Sequence, residues 1–143
     1  MQNQYQSIIR RSMMEKIELF RGPNAVRKIK QLNLDDILID QWIQNMKVTC
    51  YILYVSGEPA SFVLLSKCDF DPLGHHDAPR VLDYIYTLPK YRRKGYAYKL
   101  MEHVKKNNQF TAFCSNDESE RLFLKCKCIN HGLMNYNVMF RHP

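Results

Sequence analysis

The heptapeptide Lys90-Tyr91-Arg92-Arg93-Lys94-Gly95-Tyr96 holds the residues best suited to chemistry on an anion. Arg92, Arg93 and Lys94 put three cations side by side. Gly95 lets the backbone come close to a ligand with no Cβ in the way, and Ala97 keeps the next position small. The chemistry such a loop supports is the binding of a diphosphate.

Two elements must position it. Residues 81–88 alternate branched and aromatic side chains and end at Pro89, which reads as a strand. From Ala97 onward, Ala97, Leu100, Met101 and Val104 fall on one helical face. A strand feeding a glycine-bearing loop onto a helix start brings unpaired N–H groups, the positive helix end and basic side chains together. A plain basic turn would give no reason for Gly and Ala at these two positions.

The rest of the chain reads as a series of short elements. Residues 15–20 form a first strand, which Gly22-Pro23-Asn24 breaks. Asn24 is the expected cap of a helix through Val26, Ile29 and Leu32, and a second helix passes through Ile37, Ile39, Trp42 and Met46. Residues 48–55 and 60–66 pair as a hairpin around the turn Ser56-Gly57-Glu58-Pro59. A polar stretch, residues 67–80, contains Asp69, Asp71, His75, His76 and Asp77, and reads as an exposed loop whose groups no regular spacing fixes on a common centre. Residues 110–114 are a fifth strand, Ser115-Asn116-Asp117-Glu118 starts a fourth helix ending near Cys126, and residues 129–141 suit one or two closing strands.

The spacing Arg92-x-x-Gly95-x-Ala97, with Pro89 before it and a helix after it, resembles the acetyl-CoA-binding motif of the GNAT superfamily of N-acetyltransferases. The element order β, α, α, β, β, β, α, β, α, β is similar to that family's from about Glu15 onward. The resemblance implies an α/β fold of the mixed α+β kind, a central mixed and splayed sheet of six to seven strands flanked by about four helices. It implies a single domain over residues 15–143, with residues 1–14 as a tail or a lead-in to the first strand. It also implies that the pantetheine arm of the cosubstrate acetyl-CoA pairs with the central strand as an added strand.

Site residues follow from the same resemblance. The N–H groups of Arg93, Lys94, Gly95, Tyr96 and Ala97 would hold the pyrophosphate, with Arg92 opening the motif, and backbone at Leu88 would face the thioester carbonyl. Asn116 matches a position where the family often has Asn near the pantetheine arm, and it equally suits an ordinary helix cap. Asp83 sits where many members carry Glu, Asp or His, and is the expected general base, sharing a strand face with Val81, Ile85 and Thr87. The chain departs from the family where a general-acid Tyr is common, because Phe123 stands there and Lys127-Cys128 replaces a Gly-Phe pair. Tyr136 and Tyr84 are the substitutes available. A general acid typically contributes ~10²–10⁴-fold, yet a thiolate of pKa about 8.5 leaves with little help. Residues 31–36, including Asp35 and Asp36, and residues 130–137 would form the acceptor pocket, for an amine-bearing small molecule or protein.

Composition bounds these readings. The chain has 143 residues, 45% of them hydrophobic, enough for one globular core. No apolar run is long enough to span a membrane, and no secretory leader is evident, so an intracellular, cytoplasmic protein is expected. The five cysteines suit reduced thiols, and Cys126-x-Cys128 with His131 lacks the spacing of a metal knuckle, so no metal is expected. Of the net charge of +7, residues 88–106 supply +6, a concentration that suits a polyanionic cofactor. Nucleic-acid binding is disfavoured, because a duplex-binding face usually spreads over several elements. It stays as one alternative, beside a GNAT-like module that binds acyl-CoA or a protein without catalysis. The oligomeric state is open, a homodimer included.

Overall fold

In the computed structural model, residues 14–34, 47–67, 80–114, 116–134 and 137–142 are described. They form β1 (Glu15–Arg21), α1 (Pro23–Gln31), β2 (Val48–Val55), β3 (Glu58–Lys67), β4 (Arg80–Thr87), a 3₁₀ turn (Pro89–Tyr91), α2 (Tyr96–Asn107), β5 (Phe110–Cys114), α3 (Asp117–Lys125), β6 (Ile129–Met134) and β7 (Asn137–Arg141). The seven strands make one mixed sheet in the order β1-β2-β3-β4-β5-β7-β6. Only β4 and β5 run parallel, because α2 crosses over between them. The helix expected through Ile37 to Met46 lies outside the described residues, as do the loop of Asp69 to Asp77 and Tyr136.

The sheet is covered on both sides. On one face Leu100, Met101 and Val104 of α2 and Phe123 of α3 pack on Leu53, Val63, Leu65 and Leu82. On the other, Ala25, Val26 and Ile29 of α1 pack on Ile52, Phe62 and Leu64. This double cover explains why β2 and β3 read as continuous apolar runs rather than alternating ones.

Two boundaries differ from the sequence expectation, each for a local reason. The cap of α1 is Gly22, not Asn24: Gly22 takes φ 58 and Pro23 supplies the first helical position, where a missing N–H costs nothing. The β2–β3 turn has two residues, Ser56 (φ 50) and Gly57 (φ 82), the left-handed pair that a tight hairpin needs. Glu58 and Pro59 therefore belong to β3, and the register shift opposite Leu53 and Tyr54 accommodates the proline.

Two irregularities of β4 shape the site. Its pairing with β5 covers only Arg80, Val81 and Leu82, opposite Phe110, Thr111 and Ala112, so the sheet opens as a notch beyond Leu82. Its pairing with β3 shifts between Leu64↔Tyr84 and Leu65↔Leu82, which leaves Asp83 as the extra residue of a bulge. The bulge corrects the expected facing. Ile85 packs on the α2 side, and Tyr84 and Tyr86 on the α1 side. Asp83 bonds Ser66, which shares its strand face with Phe62 and Leu64, so Asp83 and Ile85 point to opposite sides.

Candidate functional site

A groove of about 1080 Å³ runs along the open part of β4, past the loop after it, and between the start of α2 and α3. The loop forms one end. Pro89–Tyr91 turns the chain, with Tyr91 N–H donating to Leu88 C=O at 2.9 Å and Arg92 N–H to Pro89 C=O at 3.3 Å. The buried Tyr91 ring packs edge-on against Tyr96, and its hydroxyl donates to the Glu58 carboxylate, which Lys90 also pairs at 2.8 Å. Those two partners hold the Glu58 carboxyl below the ordinary carboxylate range. The turn is thus fastened to the start of β3.

Gly95 caps α2 in the left-handed region, φ 80 and ψ 10, and no side chain caps the helix. Lys99 N–H makes the first intrahelical bond, to Gly95 C=O at 3.1 Å, so the N–H groups of Gly95, Tyr96, Ala97 and Tyr98 lie ahead of it with no intrahelical acceptor. A Cβ at Gly95 would meet nothing within 4 Å, and the side before the helix is therefore open space. No acid occupies the first turn of α2. Arg93 and Lys94 are exposed, and Arg93 shares the left-handed conformation at φ 63. These groups fit a diphosphate.

Arg92 does something else. Its Nε donates to Thr87 C=O at 2.8 Å, and its guanidinium lies 5.3 Å from the Tyr86 ring centre, so it ties the loop to the end of β4. Leu88 differs from expectation in a related way. Its N–H donates to Ala60 C=O at 2.9 Å and its C=O accepts from Tyr91, so both main-chain groups are engaged inside the fold. Strand alternation then turns the main-chain groups of Ile85 and Thr87 toward the unpaired edge, where the Thr87 carbonyl meets Arg92. Ile85 and Thr87 are the donors facing the notch, one residue away from the sequence expectation.

Asp83 lies at the mouth of this notch, half-buried, with Ser66 Oγ donating to its Oδ2. Burial pushes its carboxyl above the ordinary value, and the Ser66 hydrogen bond offsets part of that rise. Tyr84 lines the groove through β4, while its ring stacks with Phe62 at 5.9 Å and Tyr86 at 6.1 Å on the α1 side.

Across the groove, Asn116 caps α3: its Oδ1 accepts from Ser119 N–H and Ser119 Oγ, both at 2.8 Å. The cap role is therefore visible, and Nδ2 is the end of the amide left for a ligand. Phe123 is buried at 1% exposure and packs 5.3 Å from Phe140, so α3 brings an aromatic core residue where a hydroxyl was looked for. Sequence reasoning missed Phe113, which lies beyond the last β4–β5 pair and is 43% exposed toward the groove. It also missed Tyr98, whose ring sits 4.5 Å from Lys125 Nζ across the opening between α2 and α3. Neither carries a signal in a linear reading, since an aromatic residue within a strand or a helix is read as core. Cys126 and Cys128 are buried, their thiols pushed up to about 12 and about 11, whereas His131 is exposed on β6, so the three do not meet. Among the described residues no helix is long and apolar enough to cross a membrane.

Comparison with known proteins places this geometry. The model of the acetyltransferase (GNAT) family matches residues 14–135. Among solved structures, Arabidopsis thaliana NAA60 in complex with acetyl-CoA superposes with a TM-score of 0.60 at 16% identity, over 88% of this chain and 97% of that one. An acetyltransferase of the GNAT family from Bacillus cereus gives a TM-score of 0.64 at 18% identity, over 90% and 96% of the two chains. A variant of the AtaT toxin, bound to the C-terminus of the antitoxin AtaR and to acetyl-CoA, gives 0.61 at 15% identity, over 90% and 93%. A search of curated protein sequences finds no match. At these identities the structural likeness speaks to the fold, which is GNAT-like.

Proposed function

The chain belongs to the GNAT acetyltransferase family, and from that premise we propose that it transfers an acetyl group from acetyl-CoA to a primary amine, both substrates being bound together. The observation that carries this reading is the unpaired β4 edge, which leads from the Asp83 bulge directly to the open, acid-free start of α2. An extended pantetheine arm fits an unpaired strand edge, and a pyrophosphate fits the N–H groups of Arg93 through Ala97. NAA60 and the AtaT variant, solved with acetyl-CoA, share the fold that presents these groups.

Acetyl-CoA supplies an activated acyl carbon as its thioester. The protein supplies position and proton transfer. Ile85 and Thr87 offer main-chain donors along the notch, and Gly95 keeps the phosphate end open. Asp83, directly or through a water, accepts the proton of the attacking amine, a role that suits a carboxylate whose pKa burial has raised. α3 carries no tyrosine to assist the departing thiolate, and the thiolate's own stability makes that tolerable. Phe123 also favours a second reading, a member that binds acyl-CoA and turns over slowly or not at all.

A calorimetric titration with acetyl-CoA, beside a Gly95→Glu variant, tests the proposal. Saturable binding by the parent, weakened at least ~100-fold by a carboxylate set against the phosphates, is the expected result. An amine screen that follows thiol release then separates transferase from binder. If the parent binds no acetyl-CoA, the proposal fails.

A further inference from the structure

A second cavity, of about 610 Å³, lies at the opposite end of β4 and α2 from the groove. Arg21 at the end of β1, Thr49 and Tyr51 of β2, Arg80 at the start of β4 and Lys106 at the end of α2 contribute to its wall. The twelve residues of α2 separate the two openings by about 18 Å. Among the described residues no acid lines this cavity. Among the described residues none of Arg21, Arg80 and Lys106 is in an ion pair with a carboxylate, whereas Lys90, Lys99 and Lys105 are.

A helix C-terminus normally repels anions, because its last carbonyls carry partial negative charge. Here several carbonyls of the last two turns accept hydrogen bonds from side chains. Asn107 Nδ2 donates to His103 C=O at 2.8 Å, Asn108 Nδ2 to Val104 C=O at 3.1 Å, and His142 Nε2 lies 2.7 Å from Lys105 C=O. The hydroxyls of the wall are oriented by similar means. Thr49, only 6% exposed, accepts from Arg80 Nη1 at 3.2 Å, and Tyr51 OH accepts from Asn108 Nδ2 at 3.0 Å. With an acceptor lone pair already used, each hydroxyl keeps its own O–H to donate. The cavity therefore presents cations and donors, and the Val104 and Lys105 carbonyls near it are already engaged.

We propose that this cavity is a second anion site, distinct from the acetyl-CoA groove, which takes a phosphate group carried on a small molecule. Arg80, preset by Thr49, receives the phosphate at the floor, and Arg21 and Lys106 close over it from the rim. A pocket of about 610 Å³ confined to one end of α2 suits a small phosphorylated ligand better than a nucleic-acid strand, which would need an extended track of charge. The site stands on its own residues and does not depend on the acetyltransferase reading.

The test is a calorimetric titration with inorganic pyrophosphate of three proteins: the parent, an Arg93→Gln/Lys94→Gln variant of the loop, and a rim variant that adds Arg21→Gln and Lys106→Gln to those loop changes. All four substituted residues are exposed, so the fold should tolerate the changes. The loop variant should retain one saturable site, and the rim variant should lose at least about tenfold in affinity at that site. Unchanged pyrophosphate affinity in the rim variant would overturn the proposal, as would the absence of any binding by the loop variant. Loss of RNA oligonucleotide binding in the rim variant, with no pyrophosphate bound by either, would replace the small molecule with nucleic acid.

Discussion

Asp83 is an acid whose position costs stability. Burial raises its pKa, so the folded chain holds the proton to higher pH than the unfolded chain does. The stability linked to this group is fully present below the ordinary carboxylate range and is lost as pH rises through the raised value. Over that same interval Asp83 becomes the carboxylate that a base must be. Asp83→Asn should therefore move stability and activity in opposite directions: acetyl transfer falls ~10²–10⁴-fold, while the melting temperature at neutral pH rises. Thermal melts across pH 4–8 check the sign, since the gain should vanish at the acid end. Equal melting curves together with unchanged turnover would remove Asp83 from the mechanism. The residue itself was legible in the sequence as a lone carboxylate in an aromatic strand. Its facing was not, because a bulge inverts the count along β4 and nothing in the run of residues 81–88 marks where the extra residue falls.

At the scale of elements, α3 poses a choice that its own start can resolve. Asn116 is its cap, with Ser119 as partner, and is also a wall of the groove. Asn116→Ala should lower stability by about 0.5–2 kcal/mol through the lost cap, whereas Asn116→Ser should retain most of it. If Nδ2 also holds the pantetheine arm, acetyl-CoA affinity should fall in both variants; if it does not, the Ser variant should bind like the parent. The turn before α2 makes a similar case. Tyr91 joins the loop to Glu58 of β3, so Tyr91→Phe should keep the packing and lose the tether, raising the KM for acetyl-CoA about 2–10-fold with kcat little changed. Strands and helices were legible from periodicity because packing on a two-sided sheet demands it. The Gly22 cap and the two-residue Ser56-Gly57 turn were less so, since both depend on which residue takes a positive φ when several could.

For the whole molecule, the basic stretch at 88–106 looked in sequence like one patch, and the fold divides it. Lys90, Lys99 and Lys105 are paired with Glu58, Glu15 and Glu102, while Arg93 and Lys94 stand at the start of α2 and Lys106 at its end, about 18 Å away. A linear charge count cannot see that a helix carries its two ends to different places. The splayed sheet is the other property of the whole, because the open β4 edge exposes main-chain groups of a kind that β2 and β3 have paired on both sides. If acetyl-CoA closes that edge as an added strand, the amides of Ile85 and Thr87 should exchange rapidly in the free protein and be protected when it is bound. Binding only to the folded chain should also stabilise it by about 2.7 kcal/mol at 100 times Kd, which for a domain of this size is a rise of about 9 °C. Hydrogen exchange and a thermal shift titration, read together, separate the alternatives. A thermal shift without protection at Ile85 and Thr87 would mean that the phosphate loop alone holds the cosubstrate, and the strand-addition geometry would have to be abandoned.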